Sequence, residues 1–90
     1  MIIIESDPVK AKSNIKKHGI SFEEAETALL DPLALAQEDN DSKQEKRWVL
    51  IGMSSSARLL TVVYTLRYND NIIRLISARK STRKEASYYA

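Results

Sequence analysis

The 90-residue chain contains no cysteine, and it has only two glycines and two prolines. Without cysteine there can be neither a disulfide nor a thiolate metal site, and such a composition suits a reducing compartment. Gly19 and Gly52 are the only glycines, so a glycine-rich phosphate loop is excluded. Histidine occurs once, as His18. No set of His, Asp or Glu has metal-ligand spacing, and no Ser-His-Asp arrangement is readable. Long apolar runs are also missing. Met1–Ile4, Leu33–Ala36 and Trp48–Ile51 are the longest, far short of the roughly 18 residues that span a bilayer. Met1–Ile4 lacks a basic start and runs into Glu5, Ser6 and Asp7, unlike a signal peptide. The expectation is one cytoplasmic domain over residues 1–90, with a single modest core and no membrane contact.

What is present is charge, unevenly placed. The net charge is +2. Residues 1–20 set four lysines against Glu5 and Asp7, and residues 21–46 set eight acids against Lys43 and Lys46. Residues 47–71 set Arg47, Arg58 and Arg67 against Asp70, and residues 72–90 set Arg74, Arg79, Lys80, Arg83 and Lys84 against Glu85. Basic charge therefore sits towards both ends and acid in between. If the ends meet in the fold, they form a cationic surface suited to phosphates. The alternative is a set of solvated faces with no ligand.

Met1–Ile4 reads as a short strand. Asp7-Pro8 opens a helix, since Asp caps free N–H groups and Pro fits the first helical position. Val9, Ala11 and Ile15 form its apolar stripe, and Gly19 ends it. Ser21 and Glu24 have capping-box spacing for a second helix, which Asp31-Pro32 terminates. The short link between the two predicts an antiparallel helical hairpin. Leu33–Gln37 reads as a short edge strand and Glu38–Lys46 as a polar, mobile loop. Three stronger strands follow: Arg47–Ser54, Leu59–Arg67 and Ile72–Ala78, joined as an antiparallel meander by the turn-rich SSSAR and YNDN. Thr82 and Glu85 form a capping box for a last helix of about two turns. The fold class is α+β: an N-terminal helical hairpin and a C-terminal helix packed on one antiparallel sheet.

Alternation places Arg67 with Thr61, Val63 and Thr65, and leaves Leu60, Val62, Tyr64 and Leu66 as the core face. On the last strand it puts Arg74 with Ile72 and Ile76, and Ser77 with Arg79 on the opposite side. Arg79, Lys80, Arg83 and Lys84 straddle the junction of strand and helix. Free N–H groups beside guanidinium groups make a plausible anion site there, unless Arg79 and Arg83 simply pair with acids such as Glu24 or Glu85. His18 is either a proton shuttle or a partner of the last helical carbonyls. Trp48 could stack a base, but a Trp in a sheet is more often core. Tyr88 and Tyr89 could offer a stacking face or a proton donor, or simply pack. If the chain is an enzyme, a metal-free reaction assisted by cations is what remains.

These residues resemble the BrnT toxins of type II toxin–antitoxin systems. The resemblance runs through Asp7-Pro8, Lys10-Ala11, Asn14, Lys17-His18-Gly19, Ser21-Phe22-Glu23-Glu24-Ala25 and Asp31-Pro32. It continues through Arg47-Trp48, Ile51-Gly52, Arg74, Ile76-Ser77-Ala78-Arg79-Lys80, Thr82-Arg83, Glu85 and Tyr89. KHGISFEEA and ISARKSTRKE are specific in combination. The resemblance implies a RelE-like fold and a ribonuclease that halts translation. It also implies neutralisation by a BrnA-type antitoxin with a ribbon-helix-helix part, through which alone operator DNA is touched. Metal-independent cleavage would use the 2′-OH as nucleophile. Arg79 and Arg83, with Arg67 as a third candidate, would stabilise charge on the phosphate. His18, Glu85 and Tyr89 are the candidates for proton transfer. Lys17, Lys80 and Lys84, with Trp48, would hold the RNA. No cofactor and no metal is expected. The competing reading is a non-catalytic RNA-binding or co-repressor module that acts through a DNA-binding partner.

Overall fold

The computed structural model describes residues 3–39 and 45–89. Strand β1 (Ile3–Glu5) leads into helix α1 (Pro8–His18). Asp7 caps α1 by accepting from Val9 N–H at 2.8 Å, and Pro8 takes the first turn. At the other end Gly19 adopts φ +71°, a left-handed conformation that glycine enters without a Cβ penalty. Helix α2 (Phe22–Leu29) begins at Ser21, whose hydroxyl accepts from Glu24 N–H at 3.1 Å. Only half of the expected capping box forms here, because the Glu24 carboxylate turns away to Arg58 and Ser54.

The Asp31-Pro32 turn ends α2 and uses up the next two residues. Asp31 Oδ1 accepts from Leu33 N–H, and the Asp31 carbonyl accepts from Ala34 N–H. The edge strand β2 therefore runs over Leu35–Asp39, two residues later than expected. Of the predicted mobile loop, Glu38 and Asp39 belong to β2, and residues 40–44 lie outside the described residues. Strands β3 (Arg47–Met53) and β4 (Leu59–Arg67) match their expected spans closely. Strand β5 (Ile72–Lys80) is two residues longer than predicted, because Arg79 and Lys80 still pair with Thr61 and Leu60. The last helix, α3 (Arg83–Ala86), is one short turn rather than two. Its end coincides with Ser87, whose hydroxyl donates to the Lys84 carbonyl at 2.5 Å in competition with the helix.

The sheet order is β1-β5-β4-β3-β2. Strands β3 to β5 form the expected antiparallel meander, β2 adds to it antiparallel at the β3 edge, and β1 joins β5 in parallel. The sheet is thus mixed, which corrects the all-antiparallel expectation. Helix α1 lies against β5, and α2 lies across β3, β4 and β5. The core between helices and sheet holds Ile20, Phe22, Ala25, Ala28, Leu50, Leu60, Val62, Tyr64, Leu75 and Ala78. Burying each of its larger aliphatic side chains stabilises the fold by about 1.5–3 kcal/mol. Trp48 packs against this core from β3. The close approach of α2 requires Gly52, where a Cβ would overlap the Ala28 carbonyl oxygen.

Candidate functional site

Alternation along β5 does not hold. Val63 lies opposite Ser77 while Tyr64 lies opposite Leu75, so Ile76 is an extra residue in a β-bulge. Such a bulge re-aims every side chain beyond it. Arg74 lies opposite Thr65 and Arg79 opposite Thr61, and directly paired residues share a face. Arg74 and Arg79 therefore project from the same face, with Ser77 and Arg67. This corrects the expectation that Arg79 faces away from Arg74. The face is the one turned away from α1 and α2.

Arg79 makes a two-pronged ion pair with Glu85, at 2.7 Å and 2.8 Å. Glu85 is the centre of the local network. It also accepts from Thr82 N–H at 2.8 Å and from Thr61 Oγ1 at 3.0 Å. Thr82 returns the contact by accepting from Glu85 N–H at 3.1 Å, which completes the capping box expected from the sequence. The Arg79 guanidinium holds the Glu85 carboxyl down to about 2, against burial, with the Thr82 N–H and the Thr61 hydroxyl helping. Glu85 in turn raises the Arg79 pKa. The backbone N–H groups of Thr82 and Glu85 are thus taken within the capping box.

The other candidates are placed as follows. Arg83 and Lys84 are exposed on α3 and enter none of the ion pairs among the described residues. Arg67 shares the face of Arg79 but pairs with Ile72 at the other end of the sheet. Six positions separate it from Thr61, about 20 Å along a strand. Lys80 lies opposite Leu60 on the helix-covered face. Lys17 and His18 line a groove between α1 and β5 whose floor is Ile76 and Ser77. The Tyr89 hydroxyl donates to Asp31 Oδ2. That hydrogen bond raises the Tyr89 pKa and is the main cause of the lowered Asp31 pKa.

Two arrangements were not read from the sequence. Asn14 is buried within α1 and bonds the β5 backbone at Ala78 and the carbonyl of Ile20. The signal was there, as a polar residue inside the apolar stripe of Ala11 and Ile15. Glu24 pairs with Arg58 through both carboxylate oxygens. The Arg58 hydrogen bond is the largest cause of its lowered pKa, with Ser54 and Lys80 contributing. No local pattern announces that pair. Among the described residues no three of His, Cys, Asp and Glu are grouped to hold a metal ion. Nor is any helix among them long and apolar enough to cross a membrane.

Comparison with solved structures finds the ribonuclease toxin BrnT of Brucella abortus, known from a crystal structure. The TM-score is 0.69 at 24% identity, over 92% of this chain and all of that one. This similarity establishes a shared fold. No curated protein matches the chain. A family model does: that of the ribonuclease toxin BrnT of type II toxin–antitoxin systems, over residues 7–85. With a match over most of its length, the chain belongs to the BrnT family of ribonuclease toxins of type II toxin–antitoxin systems.

Proposed function

We propose that this toxin is a metal-independent endoribonuclease of the cytoplasm, that it halts translation by cutting RNA, and that Arg79 is its central phosphate-binding cation. The observation that carries the reading is the bulge at Ile76, which aims Arg79 onto the face of Ser77 and towards α3. In the reaction the substrate 2′-OH attacks phosphorus and the bond to the 5′-oxygen breaks. A 2′,3′-cyclic phosphate remains, a base takes the 2′ proton, and an acid supplies one to the leaving oxygen. Arg79 and Arg83 stabilise the extra charge on the phosphate. Glu85, with its carboxyl at about 2, is a weak base and acts as a positioning residue for Arg79. The Tyr89 hydroxyl is committed to Asp31. His18, exposed at the end of α1, remains the third candidate for proton transfer. Arg67 lies too far along the sheet to reach the same phosphate and serves a more distant one. A BrnA-type ribbon-helix-helix antitoxin neutralises the toxin and carries its contact with operator DNA.

Arg79→Ala and Arg83→Ala should each abolish growth inhibition at equal soluble expression. The purified wild type should leave 2′,3′-cyclic phosphate ends on RNA with or without chelator, and should leave DNA intact. Full toxicity in both variants would remove Arg79 and Arg83 from the mechanism. RNA that is retarded but never cut would favour the non-catalytic module instead.

A further inference from the structure

Helix α1 carries Lys10, Lys12, Lys16, Lys17 and His18 and no acid. Lys10, Ser13, Asn14 and Lys17 recur every three or four residues, so they share one side of the helix. That side faces the outer edge of β5. Strand β1 pairs with β5 only as far as Arg74, and Asn14 takes over the edge at Ala78. Between them, at the extra residue Ile76, lies a groove of about 230 Å³. Lys10, Ser13, Lys17 and His18 line it on the helix side, Ile76 and Ser77 on the strand side. Among the described residues no carboxylate lines the groove. Lys10, Lys17 and His18 are exposed and enter none of the ion pairs among the described residues.

We propose that this groove is a second phosphate subsite. In it Lys10 and Lys17 supply charge, and the Ser13 hydroxyl donates to a phosphodiester of single-stranded RNA. The inference rests on the ribonuclease reading and extends it along the substrate. Ser77 is the link. It lines the strand side of the groove, while its side chain projects on the face of Arg79, two residues and about 7 Å along the strand. A chain of phosphates can therefore turn around the edge of β5 from Arg79 into the groove. The bulge at Ile76 touches both, lining the groove and aiming Arg79.

The test is a salt titration of binding to a 2′-O-methyl oligonucleotide, which lacks the nucleophile and cannot be cut. Each lost phosphate contact reduces the slope of log affinity against log salt by about 0.7 for single strands. The double variant Lys10→Ala, Lys17→Ala should bind more weakly, with a slope shallower by about 1.4. The Lys10→Arg, Lys17→Arg pair should restore the slope. Lys12 and Lys16 project from the opposite side of α1, so Lys12→Ala, Lys16→Ala should keep the wild-type slope. A wild-type slope in the groove variant overturns the proposal, and so does an equal loss in the control. Loss of antitoxin binding with an unchanged RNA slope would give the groove to the protein partner. Wild-type protein that binds the modified strand but never cuts unmodified RNA sinks the nuclease reading and leaves the subsite standing. Wild type that neither binds nor cuts RNA sinks both.

Discussion

The carboxamide of Asn14 meets the peptide backbone of Ala78 on both sides. Its Nδ2 donates to the Ala78 carbonyl at 2.8 Å, and Ala78 N–H donates to its Oδ1 at 3.0 Å. Nδ2 also donates to the Ile20 carbonyl at 2.9 Å. One side chain, 4% exposed, thus imitates a neighbouring strand at the free edge of β5. It also ties α1 and the turn before α2 to the strand that carries Arg79.

Truncating that side chain strands three buried backbone groups. Each costs roughly 1–3 kcal/mol when left without a partner, so Asn14→Ala should lose at least about 3 kcal/mol. Asn14→Asp keeps the shape but replaces the donor with a buried charge, and should be no better. Urea unfolding measures both. A loss below about 0.5 kcal/mol would mean that water replaces the carboxamide at no net cost.

Gly52 is held by contact rather than by backbone conformation. The Ala28 carbonyl of α2 occupies the place of its missing Cβ, with Leu50 Cδ2 close by. Gly52→Ala should push α2 off β3 and cost about 1–3 kcal/mol, the range for overpacking a tight core. Gly19→Ala makes a useful comparison, because nothing crowds that site and only its positive φ opposes the change. Equal stability of Gly52→Ala and wild type would show that the helix shifts freely.

Acid should release the Arg79–Glu85 contact. The Glu85 carboxyl sits at about 2 in the fold, against its ordinary 4.5. Between these values the unfolded chain binds the proton and the folded chain does not, so stability rises with pH across that window. The contribution is complete above about pH 4.5 and is lost as pH falls through about 2. The stability difference between wild type and Glu85→Gln should therefore shrink as pH drops from 5 towards 2. A difference that stays constant over this range would detach Glu85 from the pH response. Asp31 and Glu24, both lowered by their own partners, persist in the Glu85→Gln background and supply the remaining slope.

Much of the local structure was legible in the sequence. Asp7-Pro8, Gly19 and the Thr82–Glu85 box act within a few residues, and each does in the fold what its local chemistry predicts. The alternation of Leu60, Val62 and Tyr64 picked out the buried face of β4. The candidate site was only half legible. Arg79 and Glu85 were both visible as candidates, but strict alternation along β5 put Arg79 on the wrong face. A bulge needs a partner strand to be defined, and no residue of ISARK announces one.

The sequence by itself determined the caps, the strand faces before the bulge, the cationic ends and the family. Only the tertiary structure decided the parallel pairing of β1 with β5, the diversion of Glu24 to Arg58, the bulge at Ile76 and the role of Asn14 at the open edge. The reason is separation along the chain. A cap satisfies backbone groups a turn away, so its outcome is set locally. Glu24 and Arg58 are 34 residues apart, and Asn14 and Ala78 are 64 apart. Their contacts exist only once the sheet has brought both ends of the chain together, and the same assembly turns Arg79 towards the face where it meets Glu85.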